Sequence, residues 1–502
     1  MPLDSTDQKG SGARSSVGPF MSRRNKPWFW PPLILFLGDF LVLAAAFYLG
    51  RIAYAMYYQL PVMDILRHWW GRPVELNYLL FPLTAGIALL WFFIRGHYSR
   101  RKAFWDEQGE ILQAIFFFWL LNSAIEFSGK VPMSRLWLFG SWLLVLLFLP
   151  VIRRALHLFI GRFRRWQRDY VLLGCGQTAA EAVRAFASEP TMAYRLCAVL
   201  VPGDAALRTC IIPEDVPRIP LGEDPLSTIS ELGNPHVVVA LEMAEWQHHE
   251  RLVWTLGLRY PDVTVAPPFR GLALFGLETN HFFSHEIFML RSRDNLGRRG
   301  PRIVKRVFDL LAAGILLILL SPLFTLIAWL IRKEDGGPVF FIQERLGRHG
   351  AAFPCIKFRS MVLDAEDRLR DYLAQNPSIK AEYERNYKLR EDPRVTQIGQ
   401  LLRRTSMDEL PQLLNVLRGE MSLVGPRPLL ERERARYGDG IILYGKVHPG
   451  ITGLWQTSGR SETTFEERAA LDAWYIKNWS IWYDLVILLR TVKVVLGKGG
   501  AY

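Results

Sequence analysis

Long apolar runs constrain this chain most, because a helix that crosses a bilayer needs about 20 mostly apolar residues. Four such runs lie in the first third of the sequence and carry few charges: 28–50, 79–94, 111–125 and 136–152. Asp39 is the only charged residue of the first run. We interpret it as a helix–helix contact rather than a contact with a lipid or a partner. We therefore expect a bundle of four transmembrane helices within residues 28–160.

Basic residues give this bundle an orientation. They are densest at 23–26, 95–102 and 153–168, and the positive-inside rule places those segments in the cytoplasm. Residues 1–27 lack an apolar core and are predicted to form a disordered tail. The net charge of +13 suits anionic lipids and phosphorylated substrates as well as nucleic acid. The apolar runs favour the membrane, so we expect membrane lipids as partners and no nucleic acid.

A fifth apolar run, 310–331, has basic residues on both sides and Ser321-Pro322 near its middle. A fifth crossing would place the rest of the chain outside the cell. Proline breaks or kinks a helix, and each half would reach only about 16 Å into a core of roughly 30 Å. We therefore predict a re-entrant helix at 305–333 that is broken at Ser321 and Pro322. An ordinary kinked span is the alternative.

Residues 168–292 show a different pattern, in which short apolar runs alternate with helical stretches. This predicts a Rossmann-like cytoplasmic α/β domain with a parallel sheet. Gly174-x-Gly176-x-x-Ala179 approximates a dinucleotide fingerprint. No lysine occurs between Lys130 and Lys305, which excludes the Tyr-x-x-x-Lys pair typical of nucleotide-sugar dehydratases. We therefore expect this domain to be structural, regulatory or oligomerising.

The four cysteines show neither C-x-x-C spacing nor a neighbouring histidine cluster. Such isolated residues are typical of reduced packing thiols rather than of metal ligands or a disulfide framework.

Residues 299–502 contain the charged residues whose spacing indicates phosphate chemistry. Lys357 and Arg359 alternate at the end of an apolar stretch, which places them on one face of a strand and suits diphosphate neutralisation. Ser406-x-x-Glu409 predicts a capping box before an apolar helix. Asp408 and Glu409 are adjacent carboxylates that can divide the work of phosphoryl transfer, one as nucleophile and one as ligand of a divalent cation.

Further cations accompany this pair. Arg403 and Arg404 precede it closely enough to neutralise phosphate oxygens. Arg427 lies in the rigid Gly-Pro-Arg-Pro turn, and Arg460 ends a glycine-rich segment that begins at Pro449. Each segment alone is compatible with an ordinary loop, but together they predict an anion-binding active site.

These segments together resemble the polyprenyl-phosphate hexose-1-phosphate transferases, or bacterial sugar transferases, in their large form. The matching stretches are Lys305-Arg-Val-Phe-Asp309, Ser321-Pro322, Lys357-Phe-Arg-Ser-Met361, Thr405 to Gln412, Met421 to Pro428 and Pro449 to Arg460. The resemblance implies a monotopic catalytic domain at 299–502. It also implies a four-helix transmembrane bundle and a Rossmann-like domain in the same chain.

The resemblance also implies a reaction. Asp408 would attack the sugar-bearing phosphate of a UDP-hexose, release UMP and pass the hexose phosphate to undecaprenyl phosphate. Glu409 would bind Mg²⁺, and Asp472 matches an acidic position near the site. The site would face the cytoplasm at a bacterial inner membrane, where the product starts O-antigen, capsule or exopolysaccharide synthesis. Galactose is favoured over glucose, and a homodimer through the middle domain is expected.

Two other functions remain open from the sequence. A membrane-anchored nucleotide-sugar oxidoreductase or dehydratase would use the middle domain, and the missing lysine argues against it. A non-enzymatic assembly protein with a decayed transferase unit should have lost Asp408 or Glu409, and both are present.

Overall fold

The computed structural model describes residues 30–59, 61, 76–129, 135–164, 166–203, 210–213, 215–222, 225–233, 235–260, 262–269, 277–281, 288–292, 295–375, 389, 392–438, 440–458 and 463–496. The tail predicted at 1–27 and the predicted site residue Arg460 lie outside these residues. The chain divides into two compact units, Met1–Phe269 and Arg270–Tyr502.

The first unit begins with four apolar helices: α1 (Trp30–Tyr57), α2 (Leu76–Ile94), α3 (Phe104–Gly129) and α4 (Arg135–Gly161). Helices α1, α3 and α4 are long and apolar enough to cross a membrane, whereas the described apolar part of α2 is shorter. Their buried faces form one core of aromatic and aliphatic side chains, which includes Phe47, Phe92 and Trp142. The predicted apolar bundle is therefore present.

A buried ion-pair network joins these helices. Arg153 on α4 is 1% exposed and pairs with Asp39 on α1 and with Glu107 on α3. Asp39 also accepts a hydrogen bond of 2.7 Å from the hydroxyl of Tyr98, which follows α2. Charges in an apolar bundle persist when they are paired with one another. The interpretation of Asp39 as a helix–helix contact is confirmed.

A parallel α/β domain follows the bundle. Its five strands are β1 (Arg168–Leu173), β2 (Tyr194–Val201), β3 (Arg218–Pro220), β4 (His236–Val239) and β5 (Val263–Val265). They lie in the order β3-β2-β1-β4-β5, and every neighbouring pair is parallel. Three connecting helices are α5 (Gln177–Ser188), α6 (Pro225–Glu231) and α7 (Met243–Arg259). The predicted parallel-sheet domain is confirmed.

The glycine-rich turn of this domain is closely packed. Gly174 has a φ of +124°, and a Cβ at this position would lie 2.2 Å from the carbonyl oxygen of Ala240. Only glycine fits such a position without strain. At the start of α5, the carboxylate of Glu242 accepts a hydrogen bond of 2.7 Å from the backbone N–H of Thr178. The protein's own carboxylate therefore lies at the helix N-terminus, where a dinucleotide-binding fold receives a phosphate.

The prediction of four isolated thiols is wrong for two of them. Cys175 and Cys210 form a disulfide, whereas Cys197 and Cys355 are free. The first pair is 35 residues apart in sequence, so no short motif indicates it. Cys175 follows β1 and Cys210 comes after β2, and neighbouring parallel strands end at the same edge of the sheet. The fold thus brings the two sulfurs together.

The second unit contains one long helix, small sheets and several short helices. The β-strands are β6 (Glu278–His281), β7 (Phe288–Arg291), β8 (Phe340–Leu346), β9 (Ala352–Phe358), β10 (Ser422–Val424) and β11 (Gly450–Thr452). The helices are α8 (Arg299–Asp335), α9 (Ala365–Gln375), α10 (Gln397–Thr405), α11 (Gln412–Arg418), α12 (Gly440–Tyr444), α13 (Leu454–Ser458), α14 (Phe465–Lys477) and α15 (Ile481–Leu496). Three 3₁₀ turns complete it: Arg348–Gly350, Met407–Glu409 and Glu431–Tyr437.

Helix α8 differs from the predicted helix-break-helix, because it is continuous through Ser321 and Pro322. Proline cannot donate a backbone hydrogen bond to the carbonyl four residues earlier, which is that of Ile318. The hydroxyl of Ser321 donates to that same carbonyl at 2.8 Å. The serine therefore satisfies the group that the proline leaves without its N–H, and the predicted interruption is absent. By length and composition α8 is also able to cross a membrane.

Both ends of α8 are fastened to the rest of this unit. Near its start, Lys305 pairs with the buried Asp484 at 2.8 Å, and Asp309 accepts a hydrogen bond from Ser422 at 2.7 Å. At its other end, Asp335 pairs with Arg359. Between these ends the helix exposes large apolar side chains, including Leu311, Ile315, Ile318, Leu319 and Trp329.

Candidate active site

The adjacent carboxylates lie on a short turn between two helices. Asp408 and Glu409 belong to the 3₁₀ turn Met407–Glu409, which links α10 to α11. The predicted capping box is wrong, because Ser406 has a left-handed backbone (φ +57°) and ends α10 without a side-chain cap. The residue that precedes α11 is Pro411. The carboxylate of Glu409 is thus available to other partners.

Lys357 is the partner of Glu409. Its ammonium lies 2.6 Å from Oε1 of Glu409, and both side chains are about three-quarters buried (23% and 31% exposed). Strand β9 is held in place by Asn415 on α11, which accepts a hydrogen bond from the N–H of Ile356 and donates one to the carbonyl of Pro354. Because Lys357 directly follows Ile356, this fixed strand positions the ammonium beside the turn.

Burial and charge separate the two carboxylates. Burial, together with the charge of Glu409, raises the pKa of Asp408 to about 6. Burial opposes ionisation of Glu409 as well, but Lys357, Arg427 and Arg345 hold its pKa below the usual range. Neighbouring carboxyl groups with different pKa values are typical of sites in which they have different roles. At neutral pH both are mostly ionised, and Asp408 is the more basic of the two.

The two arginines before the turn have different environments. The guanidinium of Arg403 donates to the hydroxyl of Ser360 at 2.9 Å, and burial lowers its pKa while the nearby Asp408 opposes the change. Arg404 lies on the exposed side of α10. The structure therefore brings Arg403, rather than Arg404, to the carboxylate pair.

Arg359 is engaged elsewhere in the unit. Both Nη atoms of its guanidinium bind the carboxylate of Asp335 at the end of α8, and Nε donates to the carbonyl of Pro338 at 2.6 Å. Only 7% of Arg359 is exposed. Of the two cations predicted to share a strand face, Lys357 therefore meets the carboxylate pair, whereas Arg359 anchors α8.

Strands β10 and β11 bring together the two predicted loops. They pair in parallel, with Ser422 opposite Gly450 and Val424 opposite Thr452. A Cβ on Gly450 would lie 2.1 Å from the backbone nitrogen of Gly425, so both loops need glycine for this close approach. The Gly-Pro-Arg-Pro turn is thereby held, and it carries Arg427 to within 5.9 Å of the ring centroid of Trp455.

Asp472, which lies on α14, is close to Arg427. The residue is 2% exposed, and its Oδ2 accepts a hydrogen bond of 2.6 Å from the hydroxyl of Tyr437. Burial raises the pKa of Asp472 to about 7, while Tyr437 and Arg427 oppose this rise.

Four residues near this site are absent from the sequence-based prediction: Arg345, Tyr437, Trp455 and Arg468. Trp455 lies two residues after Gly453, within the glycine-rich segment that ends at Arg460. That segment was the sequence feature that could have indicated Trp455 as a site residue. Arg345, Tyr437 and Arg468 come from separate elements, and no local pattern connects them.

A metal ion at this site would need ligands from the substrate. The described residues contain no group of three or more His, Cys, Asp or Glu side chains that could hold a metal ion. Mg²⁺ is usually held by one or two carboxylates together with substrate phosphates and water. Glu409 fits that role, since it is kept ionised, 31% exposed and adjacent to a second carboxylate.

The fold and the site define a membrane-associated α/β protein whose carboxylate pair is surrounded by cations. The family model of the bacterial sugar transferases matches residues 300–498. The chain is 39% identical to an undecaprenyl-phosphate galactose phosphotransferase of Salmonella typhimurium, over 83% of this chain and 87% of the relative.

Two further relatives extend the comparison. A UDP-galactose-lipid carrier transferase of Erwinia amylovora is 37% identical over 86% of this chain and 89% of its own length. An undecaprenyl-phosphate glucose phosphotransferase of Komagataeibacter xylinus is 39% identical over 49% of this chain and 46% of its own. The chain belongs to the bacterial sugar transferase family, and it is an enzyme of the transferase class.

Proposed function

We propose that this enzyme transfers galactose-1-phosphate from UDP-galactose to undecaprenyl phosphate and releases UMP. The observation that carries the proposal is the pair Asp408 and Glu409, whose pKa values are driven apart within a group of cations. One carboxylate is suited to attack phosphorus and the other to remain a permanent anion. The names of relatives that align with most of this chain support the substrates.

In the first step, a carboxylate oxygen of Asp408 attacks the sugar-bearing phosphorus of UDP-galactose. The bond between that phosphorus and the bridging oxygen breaks, and the oxygen leaves with UMP. Arg403 neutralises charge on the phosphate under attack, since it lies near Asp408. Lys357, which lies beside Glu409, supplies positive charge where negative charge develops on the diphosphate.

In the second step, a phosphate oxygen of undecaprenyl phosphate attacks the phosphorus of the aspartyl phosphosugar. The acyl-phosphate bond breaks and restores the carboxylate of Asp408. The product is a galactosyl diphosphate on the lipid. Because UMP leaves before the lipid phosphate attacks the covalent intermediate, the kinetics are expected to be ping-pong.

Glu409 would hold Mg²⁺, which when bound supplies a Lewis acid to the phosphate oxygens. Its low pKa keeps the carboxylate ionised at all physiological pH values. The other ligands would come from the substrate diphosphate and water.

We further propose that α8 is re-entrant and that the site faces the cytoplasm at the bacterial inner membrane. Both ends of α8 bind the same unit, through Lys305 and Asp309 at one end and Asp335 at the other. A straight helix across the bilayer would carry these ends to opposite faces. A re-entrant α8 therefore has to bend while its backbone stays helical, and we place the bend at Pro322, which cannot make one of the helical hydrogen bonds. The exposed apolar side chains between the ends suit a lipid environment.

The experiment measures UMP release by the full-length protein in lipid nanodiscs with Mg²⁺, undecaprenyl phosphate and either UDP-galactose or UDP-glucose. We expect multiple turnovers only when the lipid is present, a preference for UDP-galactose, and loss of at least about 10³-fold of the rate in Asp408→Asn. The exposed Asp367 on α9 provides the matched control, and Asp367→Asn should keep the wild-type rate.

A folded protein that releases no UMP from either donor would exclude the proposal. A preference for UDP-glucose would replace galactose as the transferred sugar and leave the chemistry intact. Equal rates in Asp408→Asn and wild type would remove Asp408 from the reaction.

A further inference from the structure

A pocket lies next to the carboxylate pair on the side of Arg427. Its walls include Arg427, Glu433, Tyr437, Trp455, Arg468 and Asp472, and it is partly open to solvent. A small, open pocket suits one part of a larger substrate. The lining residues come from the loop that holds Arg427, the Glu431–Tyr437 turn, α13 and α14.

Two arginines and two acidic residues, Glu433 and Asp472, line the pocket. The guanidinium groups of Arg427 and Arg468 lie 5.9 and 4.8 Å from the ring centroid of Trp455. Burial and the charge of Arg427 lower the pKa of Arg468, while Glu433 opposes the change. A bound anion would stabilise the two neighbouring guanidinium groups further.

A buried carboxylate faces the same space. Asp472 lines the pocket and is 2% exposed. Its Oδ2 is bonded to Tyr437, and the backbone N–H of Arg427 lies close enough to the carboxylate to lower its pKa. Its Oδ1 is buried and meets no donor with full hydrogen-bond geometry among the described residues. A buried acceptor without a donor is unfavourable, and a ligand N–H would satisfy it.

We propose that this pocket is the nucleotide subsite, in which uracil N3–H donates to Asp472 and Arg468 contacts the base carbonyl oxygens, with Arg427 on the phosphate of the leaving UMP. This inference rests on the proposed function, which it extends by naming the residues that read the nucleobase. Uracil presents its N3–H donor between the carbonyl oxygens O2 and O4. The pocket presents the carboxylate of Asp472 as an acceptor and the guanidinium groups of Arg427 and Arg468 as donors.

The charges favour the nucleotide over the hexose as the occupant. A hexose is neutral, whereas UMP is an anion that suits Arg427 and Arg468. Arg427 also lowers the pKa of both Glu409 and Asp472, so it lies between the reacting turn and the pocket. The leaving phosphate of UMP belongs at that position, with its base further into the pocket.

The test is equilibrium binding of UMP, CMP and galactose-1-phosphate to the full-length protein in nanodiscs. Binding is chosen because it does not depend on turnover. Cytosine presents an acceptor at N3, which an ionised carboxylate repels. Above the pKa of about 7 of Asp472, wild type should therefore bind UMP at least about tenfold more tightly than CMP. Asp472→Asn should lose this preference, since an amide also donates to N3 of cytosine.

Arg468→Met should weaken UMP binding about tenfold and leave galactose-1-phosphate unchanged. The matched control is Arg434→Met, which removes an exposed arginine of the neighbouring turn that pairs with Glu431. Hydrogen exchange of α14 reports whether each variant is folded.

The outcomes separate this inference from the proposed function. Equal affinities for UMP and CMP, or UMP binding that Arg468→Met leaves intact, would overturn the subsite even if the enzyme turns over. Loss of galactose-1-phosphate binding in Arg468→Met, with UMP unaffected, would assign the pocket to the hexose instead. Selective UMP binding that depends on Asp472 and Arg468 supports the subsite, even if no transfer to lipid is detected.

Discussion

Two turns that precede helices in this molecule have carboxylates beside them, with opposite results. In the α/β domain, the carboxylate of Glu242 accepts a hydrogen bond from the first turn of α5 and occupies the position of an anion. In the second unit, the carboxylates of Asp408 and Glu409 lie between α10 and α11 and meet Lys357 and Arg403 instead. At the first turn the protein's own carboxylate occupies the anion position. At the second turn Lys357 and Arg403 are positioned to bind the phosphate groups of a substrate.

This difference explains why the dinucleotide-like glycines of the α/β domain do not indicate redox activity. A pyrophosphate binds at a helix N-terminus through free N–H groups. At α5 the N–H of Thr178 is already bonded, and a Cβ added to Gly176 would lie 2.6 Å from Oε1 of Glu242. The glycine there makes room for the protein's own side chain rather than for a ligand. Glycine spacing alone therefore does not distinguish a binding turn from a packing turn.

Among variants that keep both carboxylates, the largest effect should come from Lys357, which distinguishes the catalytic turn from the α/β turn. Lys357→Met should lower the rate of UMP release about 10²-fold, the usual consequence of losing one charged group from a phosphate site. Lys357→Arg should restore part of the rate. The measurement is single-turnover UMP release from UDP-galactose, with hydrogen exchange of β9 as the control for folding. A rate within twofold of wild type in Lys357→Met would show that its pairing with Glu409 is only structural.

The pH dependence tests the split between the two carboxylates. Asp408 attacks as an anion, so protonation below a pKa of about 6 should remove activity. The value of kcat should therefore be constant above neutral pH and fall about tenfold by roughly pH 5. Glu409 has a lowered pKa and should not titrate in this range.

Asp472 provides the control for this profile, because burial raises its pKa to about 7. Asp472→Asn should change the pH dependence of KM and leave the inflection of kcat near pH 6. If the inflection of kcat disappears in Asp472→Asn, the group that titrates near pH 6 is Asp472 rather than Asp408.

Arg359 should behave as the opposite of Lys357, although only one residue separates them. Arg359→Met breaks a largely buried ion pair with Asp335 and should reduce the stability of the second unit by about 1–3 kcal/mol. The rate per folded molecule should remain near that of wild type. Hydrogen exchange at the end of α8 measures the first effect. The exposed pair of Arg368 and Asp364 gives the control, since Arg368→Met should leave stability nearly unchanged.

Much of this molecule follows from its sequence, because the relevant signals are local. The apolar runs predict the bundle, alternation of short apolar and helical stretches predicts the parallel sheet, and the adjacent carboxylates indicate the candidate site. Other features depend on contacts between distant segments. The Cys175–Cys210 disulfide, the partner of Arg359 and the filled N-terminus of α5 each join residues that are tens of positions apart.

The break predicted in α8 shows a different limit. The rule for proline is correct, since Pro322 has no N–H for the carbonyl of Ile318. The neighbouring Ser321 satisfies that carbonyl instead, so the helix continues. Ser321 therefore replaces the hydrogen bond that Pro322 cannot make, and the two residues together do not end the helix.

The smallest effect, in Glu242→Ala, tests the α/β side of the comparison. Removing the carboxylate leaves the N–H of Thr178 without its partner and should destabilise the α/β domain by about 1 kcal/mol. Hydrogen exchange of β1 and α5 measures this loss, and Glu250→Ala, on the exposed face of α7, is the control. UMP release should be unchanged, and wild type should not bind NADH in a titration of its fluorescence. NADH binding by wild type would show that the carboxylate moves aside for a dinucleotide, and the two turns would then both be ligand sites.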